Sequence, residues 1–241
     1  MNNIKTGKSS LVLIFLAGTM MLVTLYLIFI WVPTEKNLGI SQRIFYVHVP
    51  VAWVGFMAFF FVLIGSIGYL FAIKSTKNQA FMSAKAWDRF AYSSAEIGVL
   101  FMTLMLISGI LWAKPVWGVW WTWDPRLSTS LILWLTYAAY IMLRAYSYNE
   151  EQSARYSAIL GIAGFINVPV VYLSIVWWRT VHPQVLVGPV ASGSLDPSMR
   201  IVLLVATATF TVLFIHLLAE RISLKKSEEQ METIMQELSE T

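Results

Sequence analysis

The chain contains three histidines and no cysteine, so any transition-metal site on it must be built from imidazole rather than thiolate. His48 lies in the stretch IFYVHVP and His182 in WWRTVHP. Between them stands a run with five Trp in twelve residues: Trp112, Trp117, Trp120, Trp121 and Trp123, ending in Asp124-Pro125-Arg126. Neutral imidazole is the commonest side-chain metal ligand. Two His with no thiolate or carboxylate cluster are too few for a zinc site, which takes three or four protein ligands. An isolated surface His is ordinarily only a polar side chain. Two that face one side of a membrane, with a Trp run between them in sequence, point to something more specific.

Two opposed imidazoles suit a haem iron, because the porphyrin already supplies four nitrogens. The porphyrin faces are apolar and need aromatic walls. Phe45, Tyr46, Trp53, Trp112, Trp117, Trp120, Trp121, Trp123, Trp177 and Trp178 could provide them. The propionates are anionic, and Arg43, Lys114, Arg126 and Arg179 stand near enough in sequence to pair with them. Trp117, Trp120, Trp121 and Asp124 follow i, i+3, i+4, i+7 spacing, so a helical loop would put them on one face lying flat on the membrane. The bland alternative is an interfacial aromatic belt. A belt scatters Trp over many helix ends and does not require five in one loop. Asp124 also reads simply as an N-cap before Pro125, and Asp196 before Pro197 likewise.

The elements that position these residues are membrane helices. Of 241 residues, 58% are hydrophobic and 12% charged, against about 25% charged in soluble domains. The apolar residues fall in six blocks, roughly 11–32, 51–73, 91–112, 127–146, 156–177 and 199–219, each near the about 20 residues a spanning helix needs. The first is too long for a signal h-region and no A-x-A site follows it, so it reads as a retained helix. Pro50, Pro125 and Pro197 each mark a possible first helical position. Eleven of the Lys and Arg residues fall on the side of the termini and six on the other, which places both termini in the cytoplasm. The expected fold is an all-α integral membrane protein of six transmembrane helices, with a Trp-rich amphipathic outer loop between helices 3 and 4. Residues 1–220 form the helical domain, with outer loops at about 33–50, 113–126 and 178–198. Residues 221–241 form a polar cytoplasmic tail, in which Met231, Ile234, Met235 and Leu238 have amphipathic helical spacing.

Other polar residues have local readings. Glu96 stands a turn or two inside the third helix, where it serves transport or pairs with a basic residue such as Arg89. His216 and Glu220 are one turn apart and read as an interfacial pair. Asn167 and Pro169 predict a kink in the fifth helix. No nucleotide-binding motif occurs, and no basic block of the kind nucleic acid requires.

The stretch WGVWWTWDPRL resembles the tryptophan-rich "WWD" signature of haem-handling proteins of cytochrome c maturation. With six helices, His-Val-Pro before helix two and WWRTVH after helix five, nearly the whole chain is similar to the haem exporter protein C (CcmC) family. That resemblance implies a binding and delivery protein rather than an enzyme, holding haem b transiently at the outer face of the bacterial inner membrane. By motif, His48 and His182 are the axial ligands, and Trp117, Gly118, Trp120, Trp121, Trp123, Asp124 and Arg126 form the platform. The implied partners are the haem chaperone CcmE, the ABC transporter subunits CcmA and CcmB, the small subunit CcmD and membrane lipid, with no nucleic acid. Pro125 and Pro183 depart from the family pattern without removing a ligand. The competing readings are a transporter for another amphipathic solute that uses Glu96, a b-type cytochrome, and a purely structural subunit of an ABC transporter complex. A b-type cytochrome normally buries its ligands inside the helices, whereas both outer His are expected on one surface.

Overall fold

The computed structural model describes residues 8–75, 82–146, 149–178 and 195–239. They form α1 (Lys8–Tyr26), α2 (Gln42–Ala72), α3 (Ala84–Trp117), α4 (Pro125–Tyr146), α5 (Glu150–Phe165), α6 (Asn167–Trp177) and α7 (Pro197–Ser239), with a single π-turn, Leu27–Trp31, extending α1. Taking α5 and α6 as one broken span, six segments are long and apolar enough to cross a membrane. All six expected spans are present.

The core is the seam between α2 and α3. Val54, Ala58, Phe59 and Val62 of α2 pack on Ala95, Phe101, Met102 and Met105 of α3, and Phe59 stacks flat on Tyr137 of α4 at 3.7 Å between ring centres. Lipid tails are as apolar as these side chains, so close packing and polar contacts between helices carry the association. Buried Thr24 of α1 and Thr209 of α7 share a 2.8 Å hydroxyl hydrogen bond. Tyr137 donates to the Gly161 carbonyl of α5 at 3.1 Å.

Helix boundaries differ from expectation in places that matter. α2 begins at Gln42, not after Pro50, which makes Pro50 an interior residue and places His48 within a helix. Proline there removes the bond to the Tyr46 carbonyl, a loss that membrane bundles tolerate when neighbours re-satisfy the backbone. α3 runs on through Pro115 to Trp117, leaving only residues 118–124 between α3 and α4. That loop is not helical, so the four-residue face of Trp117, Trp120, Trp121 and Asp124 does not form. Gly118 ends α3 at φ +78°, a left-handed C-terminal turn that glycine adopts without strain. Pro125 and Pro197 do begin helices, and the carboxylates before them cap as expected. Asp124 accepts from the Arg126 backbone N–H at 2.9 Å and Asp196 from that of Ser198 at 2.8 Å. Hydrogen bonds from the Ser198 side chain and backbone hold the Asp196 carboxyl below its usual range.

The expected kink lies at Ile166, between α5 and α6, where Asn167 Nδ2 donates to the Thr129 carbonyl of α4 at 2.9 Å. Glu96 pairs with Arg221 of α7, at 2.5 and 2.8 Å, rather than with Arg89, which meets Glu229 at 3.4 Å. The His216–Glu220 pair is absent: Glu220 accepts from Ser10, and buried His216 Nδ1 has no hydrogen-bond partner. At about 1.5 Å per residue, the 43 residues of α7 span about 65 Å, roughly twice the hydrocarbon thickness of a bilayer. Its last turns are exposed, including the stripe Met231, Ile234, Met235 and Leu238.

Candidate functional site

His48 sits six residues into α2, about 9 Å along the helix from its start. Its ring is nearly buried, at 6% exposure. Nδ1 lies 3.0 Å from Ser108 Oγ on α3, and the ring centre is 5.8 Å from that of Trp112, one turn further along α3. Ser108, Gly109 and Trp112 therefore present one patch of α3 to the imidazole. A Cβ on Gly109 would come within 3.2 Å of His48 Cε1, so glycine there allows the two helices to close on the ring.

Beside this contact opens a small cavity of about 50 Å³. Ala52 and Phe56 of α2, Met105, Ile110 and Trp117 of α3, Trp121 of the loop and Arg126 of α4 line it with His48 and Trp112. Most of this lining is apolar, yet Trp112 Nε1, Trp121 Nε1 and Arg126 Nη1 are buried there without a hydrogen-bond partner. Arg126 is 7% exposed, and among the described residues it makes no ion pair. A buried N–H without an acceptor costs about 1–3 kcal/mol, more for a charged group. All three belong to residues that line this cavity, so acceptors supplied there would relieve that cost.

The structure divides the Trp run. Trp112 is buried, Trp117 and Trp121 are partly buried in the cavity wall, and Trp120 and Trp123 point outward at 54% and 78% exposure. Trp121 and Trp123 meet edge to face at 5.7 Å. Trp112 and Trp117 also wall a second, almost wholly apolar cavity, of about 160 Å³, with Phe45, Leu195 and Met199. Trp53 lies elsewhere, donating to Thr211 of α7 at 3.2 Å.

The basic residues divide too. Arg43 is engaged with the carbonyls of Ile28 and Val32 and with Thr34, tying down the end of the π-turn. Lys114 donates to the Gly118 carbonyl at 2.9 Å and lies 5.7 Å from the Trp120 ring centre. Only Arg126, of the described candidates, lines the cavity beside His48. Gly118 and Asp124 shape the loop ends rather than the cavity wall. His182 and Arg179 lie outside the described residues. Sequence reasoning missed Ser108, Gly109, Met105 and Phe56. The signal for the first two was a polar-small pair in an apolar helix, one turn before Trp112 and hence on its face.

The family model for heme exporter protein C matches residues 3–237. Heme exporter protein C of Bradyrhizobium diazoefficiens is 35% identical over 191 residues, 78% of this chain and 69% of that protein. The Haemophilus influenzae protein of the same name is 30% identical over 212 residues, covering 88% of this chain and 82% of the relative. That of Escherichia coli K12 is 32% identical over 169 residues, 70% of this chain and 63% of the relative, so this match spans less than two thirds of it.

Proposed function

The chain belongs to the heme exporter protein C family, and from that premise we propose that it binds haem for cytochrome c maturation and passes it to a haem chaperone, CcmE. The carrying observation is the composition of the His48 cavity. It joins an imidazole, aromatic walls and three unpartnered N–H donors, one of them a guanidinium. Haem asks for that combination. Its iron takes an axial nitrogen, its ring faces take aromatic contact, and its propionates take charge-assisted hydrogen bonds.

In this reading His48 supplies one axial ligand and His182 the other. Arg126, with the indoles of Trp112 and Trp121, receives a propionate, which relieves their unpaired state. Trp117 covers the ring, while Trp120 and Trp123, turned outward, form the surface on which the chaperone lands. With both termini cytoplasmic, the starts of α2 and α4 and the end of α3 share the outer face of the bacterial inner membrane. Haem b is then cargo, held transiently and released without a reaction catalysed by this chain. CcmA and CcmB supply the energy of ATP, since this chain has no nucleotide motif, and CcmD completes the complex.

The test is to purify the full-length protein in detergent and record haem content and absorption spectrum, then repeat with His48→Ala, His182→Ala and Arg126→Gln. Loss of haem or a changed ligation spectrum in both His variants supports the reading. Unchanged haem content and spectrum in all three variants would overturn it.

A further inference from the structure

The His48 ring is held by a device that the haem reading leaves unused. Ser108 Oγ stands 3.0 Å from His48 Nδ1 and 3.1 Å from the Met105 carbonyl oxygen on its own helix. A serine hydroxyl has one proton and two lone pairs, and a carbonyl can only accept. With the Ser108 proton on the Met105 carbonyl, the oxygen presents a lone pair to His48, and Nδ1 must be the donor. The opposite tautomer would place the ring proton on Nε2. The Met105 backbone carbonyl also accepts from the His48 ring, so an N–H turned toward α3 meets two acceptors, Ser108 Oγ and that carbonyl. Both observations select the same form.

We propose that Ser108 is a positioning residue that fixes His48 as the Nδ1–H tautomer and so makes Nε2, with its free lone pair, the nitrogen offered to the cargo's iron. This inference rests on the haem reading above. Gly109 and Trp112 complete the clamp: the α3 backbone comes close to Cε1, and the indole leans on the ring from one turn further on. The chemistry of the partner matters as well as its position. A carboxylate accepting from Nδ1–H would push electron density into the ring and strengthen the iron bond. A neutral hydroxyl polarises the imidazole far less. Ser108 therefore gives an oriented but weakly donating ligand, suited to cargo that has to leave.

Two measurements test this. In the haem-free, full-length protein with ¹⁵N-labelled histidine, NMR reads the tautomer of His48, whose signal is the one lost in His48→Ala. The expected result is a single form protonated at Nδ1, becoming a mixture in Ser108→Ala and restored in Ser108→Thr. In the haem-loaded protein, Ser108→Ala is expected to speed haem loss by about tenfold or more and shift the reduction potential, again with rescue by Thr. An Nε2-protonated His48 in the wild type overturns the proposal whatever the variants do. If His48→Ala loses haem while Ser108→Ala keeps wild-type tautomer, potential and release rate, Ser108 has no positioning role and the haem reading stands. If His48→Ala leaves haem content and spectrum unchanged, His48 is not a ligand and the Ser108 proposal falls, while the haem reading falls only if His182→Ala and Arg126→Gln are unchanged too.

Discussion

The two ends of α3 treat their polar groups in opposite ways. Near its start, charges close on one another across helices: Arg144 on Asp88 at 2.7 Å, Arg221 on Glu96 at 2.5 Å and Arg89 on Glu229 at 3.4 Å. Near its end, Arg126 is buried and its guanidinium forms no ion pair among the described residues, the Asp124 carboxylate accepting from its backbone N–H instead, and two indole N–H groups on residues lining the same cavity have no acceptor. Burying a charge in a membrane bundle is costly at either end. The first end answers that cost within the chain. The second leaves donors without an acceptor from the described residues, which is what the proposed haem site requires.

The sharpest way to break this contrast is His48→Ala. Haem content should fall at least about tenfold, because one axial ligand is gone, while the thermal midpoint of the haem-free protein changes little. A fall in stability with normal haem content would make His48 a core residue like any other. Next is Arg126→Gln, which should weaken haem binding by about tenfold, near the about 1.5–3 kcal/mol of a charge-assisted hydrogen bond. Its haem-free stability should hold or rise, since an unpaired buried charge is removed. Titration of the variant with haem, alongside a melting curve, separates the two effects.

The charged start of α3 should respond in reverse. Glu96→Gln leaves Arg221 with only Glu228, at 3.1 Å, and should lower stability by about 1–2 kcal/mol, discounted from a fully buried pair because both side chains are about a quarter exposed. Haem binding should survive. Abolished delivery with unaltered stability and haem content would instead favour a transport role for Glu96. The smallest expected effect is Asp124→Ala, the loss of an N-cap worth about 1 kcal/mol, read as a lower melting midpoint. If that variant lost haem far beyond its loss of stability, Asp124 would belong to the binding surface as well as to the start of α4.

Much of this arrangement was legible along the chain, because it depends on local rules. Six apolar blocks, two Asp-Pro helix starts and the Asn167–Pro169 break follow from hydropathy, capping and proline chemistry, and each has its counterpart in the structure. The start of α2 was misplaced because Pro50 fits a first helical position as readily as an interior one inside a membrane bundle. The expected single face of the Trp run rested on helical spacing, and Gly118 ends the helix before that spacing can operate. His216 and Glu220 have the spacing of a pair, but Glu220 turns to Ser10, near the other end of the sequence.

Residue types and order by themselves determined that this chain crosses a membrane, that imidazole is its best means of holding a metal, and that aromatic and basic residues stand near that imidazole. Those conclusions follow from composition and from periodicities of a few residues. Tertiary structure alone decided which of the Trp and Arg residues face the imidazole. It assigned Arg126 to the cavity and tied Arg43 and Lys114 to backbone carbonyls. It also brought Ser108, sixty residues away in sequence, to His48 Nδ1. The physical reason is that spacing along one helix says which residues share a face, but only the packing of α2 on α3 says what that face meets.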